Sequence, residues 1–163
     1  MKWVKIAPDR FLQRRDDIQV LWIKDFLNTD TKFRGAVIES NEEWKEFSKS
    51  CFLPWYKNSP LWSSPNNENY SLQEYAKEYS EDKLFIIKEG EEMLMLSVYH
   101  VALGKRLLVD GCHRAVALEI AVNKGTKIKP VSILECFGTQ LHGVFYADFT
   151  NMIADTLQTR VSS

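Results

Sequence analysis

The chain has 163 residues, 45% of them hydrophobic and 12% aromatic, enough to bury a real core as one domain. Lys and Arg total 21 against 22 Asp and Glu, interspersed to a net charge of −1, so there is no global electrostatic footprint for nucleic acid or an acidic membrane surface. No apolar run approaches the roughly 18 residues of a membrane span, Met1-Lys2-Trp3-Val4-Lys5 lacks a signal-peptide core, and Cys51, Cys112 and Cys136 are too few and too far apart for a disulfide scaffold; the expectation is a cytoplasmic protein with no membrane partner.

Trp3-Val4-Lys5-Ile6-Ala7 alternates enough for a strand, stopped by Pro8-Asp9. Ile18, Leu21, Trp22 and Phe26 recur at helical spacing, predicting an amphipathic helix over 17–28 with Trp22 in the core. Arg10, Arg14 and Arg15 ahead of it form a basic cluster, a pattern more often a solvated turn than a phosphate contact. Gly35-Ala36-Val37-Ile38 reads as a short strand. Ser40-Asn41-Glu42-Glu43 is a capping-box pattern that starts a helix carrying Trp44, Phe47 and Cys51 on one face, so Cys51 is expected to pack inward. Residues 54–67 hold three of the five prolines and two of the five tryptophans, a density read as irregular. The stretch 52–70 is therefore a candidate lid, with Trp55, Tyr56 or Trp62 stacking on a base or covering a substrate, or else a loop pinned to the core by its own indoles.

Ser71-Leu72-Gln73-Glu74 repeats the capping signature, and Leu72, Tyr75, Ala76 and Tyr79 continue it as a helix to residue 81. Leu84-Phe85-Ile86-Ile87 reads as a strand, turned at Glu89-Gly90 into a second over 93–101. A third follows through Gly104-Lys105 to the buried run Leu107-Leu108-Val109 and the turn Asp110-Gly111. Beyond it, a run broken only by Glu119 reads as a helix capped by Gly125. Pro130-Val131-Ser132-Ile133-Leu134 reads as a strand with proline at its first residue, which suggests a sheet edge or the start of a crossover partner. Gly143-Val144-Phe145-Tyr146 and a helix over 148–157 close a single α+β domain spanning 1–163.

Cys112, His113 and Arg114 thus fall where a strand gives way to a helix. A helix start carries partial positive charge, so a charged arginine or histidine there costs roughly 0.3–1 kcal/mol. A bound anion reverses that sign, and phosphate is the usual one. The alternative is that Arg114 pairs with a carboxylate elsewhere and Cys112 is small core filling. The same position is expected to lower the Cys112 pKa. His100, His113 and His142 show no metal-binding spacing with the cysteines, and there is no Walker A loop.

Asp110-Gly111-Cys112-His113-Arg114, followed by Ala115 and Ala117, resembles the nucleotide-binding signature of the ParB/sulfiredoxin superfamily, in which a Gly-x-x-Arg turn opens a helix. The Gly-Cys-His-Arg version is similar to that of sulfiredoxins. The resemblance implies a ParB/sulfiredoxin-like mixed sheet with flanking helices and a nucleotide-binding core over 71–135, the strand at 93–101 being an addition to the superfamily's shortest form. It implies that Gly111, His113 and Arg114 hold the phosphates of ATP or CTP with Mg²⁺ bridging them, and that Cys112 matches the sulfiredoxin thiol. Asp110 is the carboxylate within the motif and a catalytic candidate, with Glu89, Glu91, Glu92 and Glu119 also available. The leading expectation is an enzyme that hydrolyses a nucleoside triphosphate or transfers its phosphoryl group. The alternatives are a DNA-binding or nuclease module, a non-catalytic interaction protein that keeps the fold, and a sulfiredoxin-like ATP-dependent reductase that attacks a protein substrate through Cys112.

Overall fold

In the computed structural model, which describes residues 1–7, 32–57, 69–78, 93–101 and 104–138, the apolar runs assemble into one mixed sheet. Among the described residues its strands are β1 (Val4–Lys5), β2 (Lys32–Ile38), β3 (Cys51–Tyr56), β4 (Asn69–Ser71), β5 (Leu94–His100), β6 (Lys105–Asp110) and β7 (Val131–Gly138), laid out as β1-β2-β7-β5-β6-β3-β4. Neighbours are antiparallel except β5 with β7 and β3 with β6. Three helices accompany them, α1 (Asn41–Ser48), α2 (Leu72–Glu78) and α3 (Cys112–Asn123), which makes the described architecture α+β.

The central strands β5, β6 and β7 are buried along almost their whole length, the pattern of strands covered on both faces. Met95, Leu108, Val131 and Ile133 join Trp44 and Phe47 of α1, Leu72 and Tyr75 of α2, and Ala115, Val116, Leu118 and Val122 of α3 in one apolar cluster. Leu96, Val98 and Leu107, at the alternate strand positions, are equally buried. Glu119, the one interruption in the apolar run of α3, lies on the buried stripe and accepts the Trp44 indole N–H at 2.9 Å, so the carboxylate ties α3 to α1.

Both capping signatures open helices. Ser40 Oγ accepts the Glu43 N–H at 3.2 Å, and Ser71 Oγ accepts the Glu74 N–H at 3.1 Å. Glu43 Oε2 accepts the Glu39 N–H and Oε1 the Met1 ammonium, which together hold its carboxyl below the usual carboxylate range. At the far end of α3, Gly125 has φ 82°, its N–H donates to Val122 O and the Thr126 N–H donates to Ala121 O, the two bonds of a Schellman stop.

Several expectations are corrected. Cys51 does pack inward, but from the first position of β3, because α1 ends at Ser48. Pro54, Trp55 and Tyr56 belong to β3, not to an irregular loop. The β3 to β4 ladder pairs Phe52 with Ser71 and Tyr56 with Asn69 and slips between them, so the N–H that Pro54 lacks is not needed there. The strand after Pro130 is not at an edge: Pro130 lies ahead of β7, whose ladders run to β2 on one side and β5 on the other. The predicted helices over 17–28 and 148–157, the strands at 84–87 and 143–146, and Arg10, Arg14, Arg15, Trp22 and Trp62 lie outside the described residues.

Candidate functional site

The turn 110–114 is built by a bulge and a glycine. Ser97 of β5 faces Leu108 of β6 but Leu96 faces Asp110, so β6 accommodates one extra residue before it ends, a device that re-aims the chain beyond it. Gly111 then takes φ 80°, ψ 20° as the residue ahead of α3. A Cβ there would lie 2.9 Å from Met95 Cγ and 3.1 Å from Leu94 O, so glycine is required by conformation and by space. The Gly111 N–H donates to Asp110 Oδ1 at 2.8 Å, Gly111 O accepts from Ala115 N–H at 2.8 Å, and no side chain caps the helix.

Cys112, His113 and Arg114 occupy the first turn of α3. Arg114 Nη1 donates to Leu94 O at 3.4 Å, which lays the guanidinium toward the start of β5. The His113 ring meets Trp55 at 5.1 Å between centroids, Trp55 meets Tyr75 at 4.8 Å, and Tyr75 takes Tyr70 edge-on at 5.2 Å. Strands β3 and β4 and helices α2 and α3 thus bring four rings together beside the turn. Of the candidate lid residues, Trp55 does reach the motif, from a strand and wedged between rings. Tyr56 closes β3, and Trp62 is outside the described residues.

The expected lowering of the Cys112 pKa is overturned. Burial, with the Asp110 carboxylate adding to it, pushes the thiol up to about 12. Its Sγ faces Leu108 O at 3.5 Å, so the sulfur turns back toward the strand, and desolvation outweighs what the helix start offers a thiolate. Cys51 and Cys136 are fully buried, and burial raises both.

Sequence reasoning missed a second polar centre. The fully buried Glu135 of β7 accepts from Arg34 Nε and Nη2 of β2 at 3.0 and 2.6 Å, from Arg106 Nε and Nη2 of β6 at 2.7 and 3.2 Å, and from Ser97 Oγ of β5 at 2.5 Å. The two guanidiniums stack among Trp3, Tyr99, Phe137 and Phe47 at 4.2–5.7 Å from the ring centroids. The available signal was a charged residue breaking a strand's apolar run, Arg34 ahead of Ala36-Val37-Ile38 and Glu135 inside Ile133-Leu134-Glu135-Cys136-Phe137.

No protein-family model, no curated protein and no solved structure matches the chain. The site is therefore read from its own geometry. Among the described residues, no three His, Cys, Asp or Glu side chains converge on a metal position, and no helix is long and apolar enough to cross a membrane.

Proposed function

We propose that this protein is a nucleotide-binding enzyme of the ParB/sulfiredoxin type, which hydrolyses a nucleoside triphosphate or transfers its phosphoryl group with the phosphates held by residues 111–114. The observation that carries the reading is the pairing of His113 and Arg114 on the first turn of an uncapped α3, behind a glycine whose left-handed φ and close approach to Met95 and Leu94 strain any substitution. Helix N–H groups, the helix dipole and a forked guanidinium then act on one anion. Within the described residues, β6 running into the Gly-x-x-Arg turn that opens α3, with α2 earlier in the chain, fits the part of the resembled order that they cover.

In this reading Arg114 takes phosphate oxygens, His113 is oriented by the Trp55 ring, and Mg²⁺ arrives on ATP or CTP with Asp110 as the adjacent carboxylate. Cys112 serves packing, since a partly buried thiol raised to about 12 is a poor nucleophile at neutral pH, which disfavours the reductase alternative. Calorimetric titration of the folded protein with ATP and with CTP, each with Mg²⁺, tests the proposal. Saturable binding of either is expected, and heat from neither would remove it.

A further inference from the structure

The centre around Glu135 carries more charge than it balances. Arg34 and Arg106 contribute two positive charges and Glu135 one negative, with side chains only 19%, 8% and 0% exposed. Five donors already saturate the two carboxylate oxygens. Among the described residues, one positive charge is left where water is largely excluded. Ring faces offset part of that cost, but a cation is stabilised fully only by an anion.

The surplus borders open space. Arg106 lines a cleft of about 550 Å³ within the range of small-molecule sites, and its Nη1 donates to Ser50 Oγ at the cleft wall. Lys49, paired with Glu46 at 3.1 Å, and Lys105, whose ammonium lies 5.1 Å from the Phe52 ring centroid, also line it, and Phe47, Phe52 and Tyr99 supply an apolar lining. Arg106 and Gly111 are near opposite ends of β6, about 16 Å apart along the strand at roughly 3.3 Å per residue, so this cleft is not the turn described above.

We propose that the cleft at Arg106 binds a small organic anion, a phosphate or carboxylate group on an apolar body, with the group facing Arg106 and Ser50 and the body against Phe52 and Tyr99. Lys49 and Lys105 draw the anion in; Glu135 orients the guanidinium rather than meeting the ligand.

Phenyl phosphate and benzoate are suitable probes, followed through the Arg106 Nε–H and Trp3 indole N–H in nitrogen-resolved NMR spectra of the whole chain at constant ionic strength. Saturable shifts are expected with at least one probe, and the tighter of the two identifies the source of the charge. The shifts should persist in Arg114→Ala, and the affinity should fall about tenfold or more in Lys49→Gln/Lys105→Gln, the scale of one lost charge-assisted hydrogen bond. Linear shifts with both probes, unchanged affinity in the double lysine variant, or loss of binding in Arg114→Ala would each overturn the proposal, the last by moving the anion to the 111–114 turn. Failure of ATP and CTP to bind would leave this result standing.

Discussion

At the scale of single residues, stability and function separate at Arg114 and coincide at Glu135. Arg114 reaches Leu94 O by a long bond, 3.4 Å, and holds a cation at a helix start. Arg114→Ala takes a cation away from a helix start, which relieves an unfavourable dipole interaction, and should abolish the rise in melting temperature given by nucleotide while the unliganded protein stays folded. Arg114→Lys keeps the charge and loses the fork, and should weaken nucleotide binding by about 1.5–3 kcal/mol. A drop of several kcal/mol in unliganded Arg114→Ala would mark Arg114 as structural and defeat the phosphate reading. Glu135→Leu behaves differently because it strands two guanidiniums against aromatic rings. Removing one partner of a buried ion pair costs about 3–5 kcal/mol, and urea unfolding should show a loss of at least that size. Cys112→Ser should retain most nucleotide turnover if the thiol only packs; complete loss would return the reductase reading.

At the scale of elements, the two ends of α3 use glycine for different reasons, and substitution separates them. Gly125 has φ 82°, and a Cβ added there would meet nothing within 4 Å, so Gly125→Ala encounters only backbone strain, about 1–2 kcal/mol. Gly111 has φ 80° and also crowds Met95 and Leu94. Gly111→Ala adds overpacking of about 1–3 kcal/mol to the same strain and should shift the turn that positions His113 and Arg114. Thermal unfolding of both variants, with nucleotide titration of each, checks this: Gly125→Ala should bind normally, and Gly111→Ala should lose both stability and binding. Equal losses at the two positions would show that Met95 yields and that the close approach at Gly111 has no consequence.

At the scale of the whole molecule, three raised thiols predispose the fold to alkaline loss. A thiol whose folded pKa lies above its unfolded value contributes stability that is fully present below the unfolded pKa and is lost as pH rises through the folded one. For Cys112 the window runs from the ordinary 9.0 to about 12, and Cys51 and Cys136 shift in the same direction. Above pH 9 the unfolded chain releases protons that the folded chain keeps, so stability falls by about 1.4 kcal/mol per pH unit for each thiol. Urea unfolding at pH 8, 9.5 and 10.5 should show the decline, and Cys136→Ala should make it shallower by one thiol's share. A slope unaffected by that substitution would mean that other groups govern it.

Local signals carried far in this chain. The serines at 40 and 71 marked two helix starts because capping is a bond between near neighbours, and Gly125 marked a helix end because a left-handed residue is a local demand. The run Leu107-Leu108-Val109 before Asp110-Gly111 was legible as strand, turn and helix, and with it the placement of Cys112, His113 and Arg114 on one helical turn. The rest depended on partners distant along the chain. β7 is central and not an edge because β2 and β5 claim both its sides, which Pro130 alone does not reveal. Trp55 meets His113 across 58 positions of chain and Arg34 meets Glu135 across 101, distances over which periodicity is silent. The Cys112 thiol reversed its expected behaviour for the same reason: the helix start is written in neighbouring residues, whereas desolvation is set by everything that packs against the sulfur.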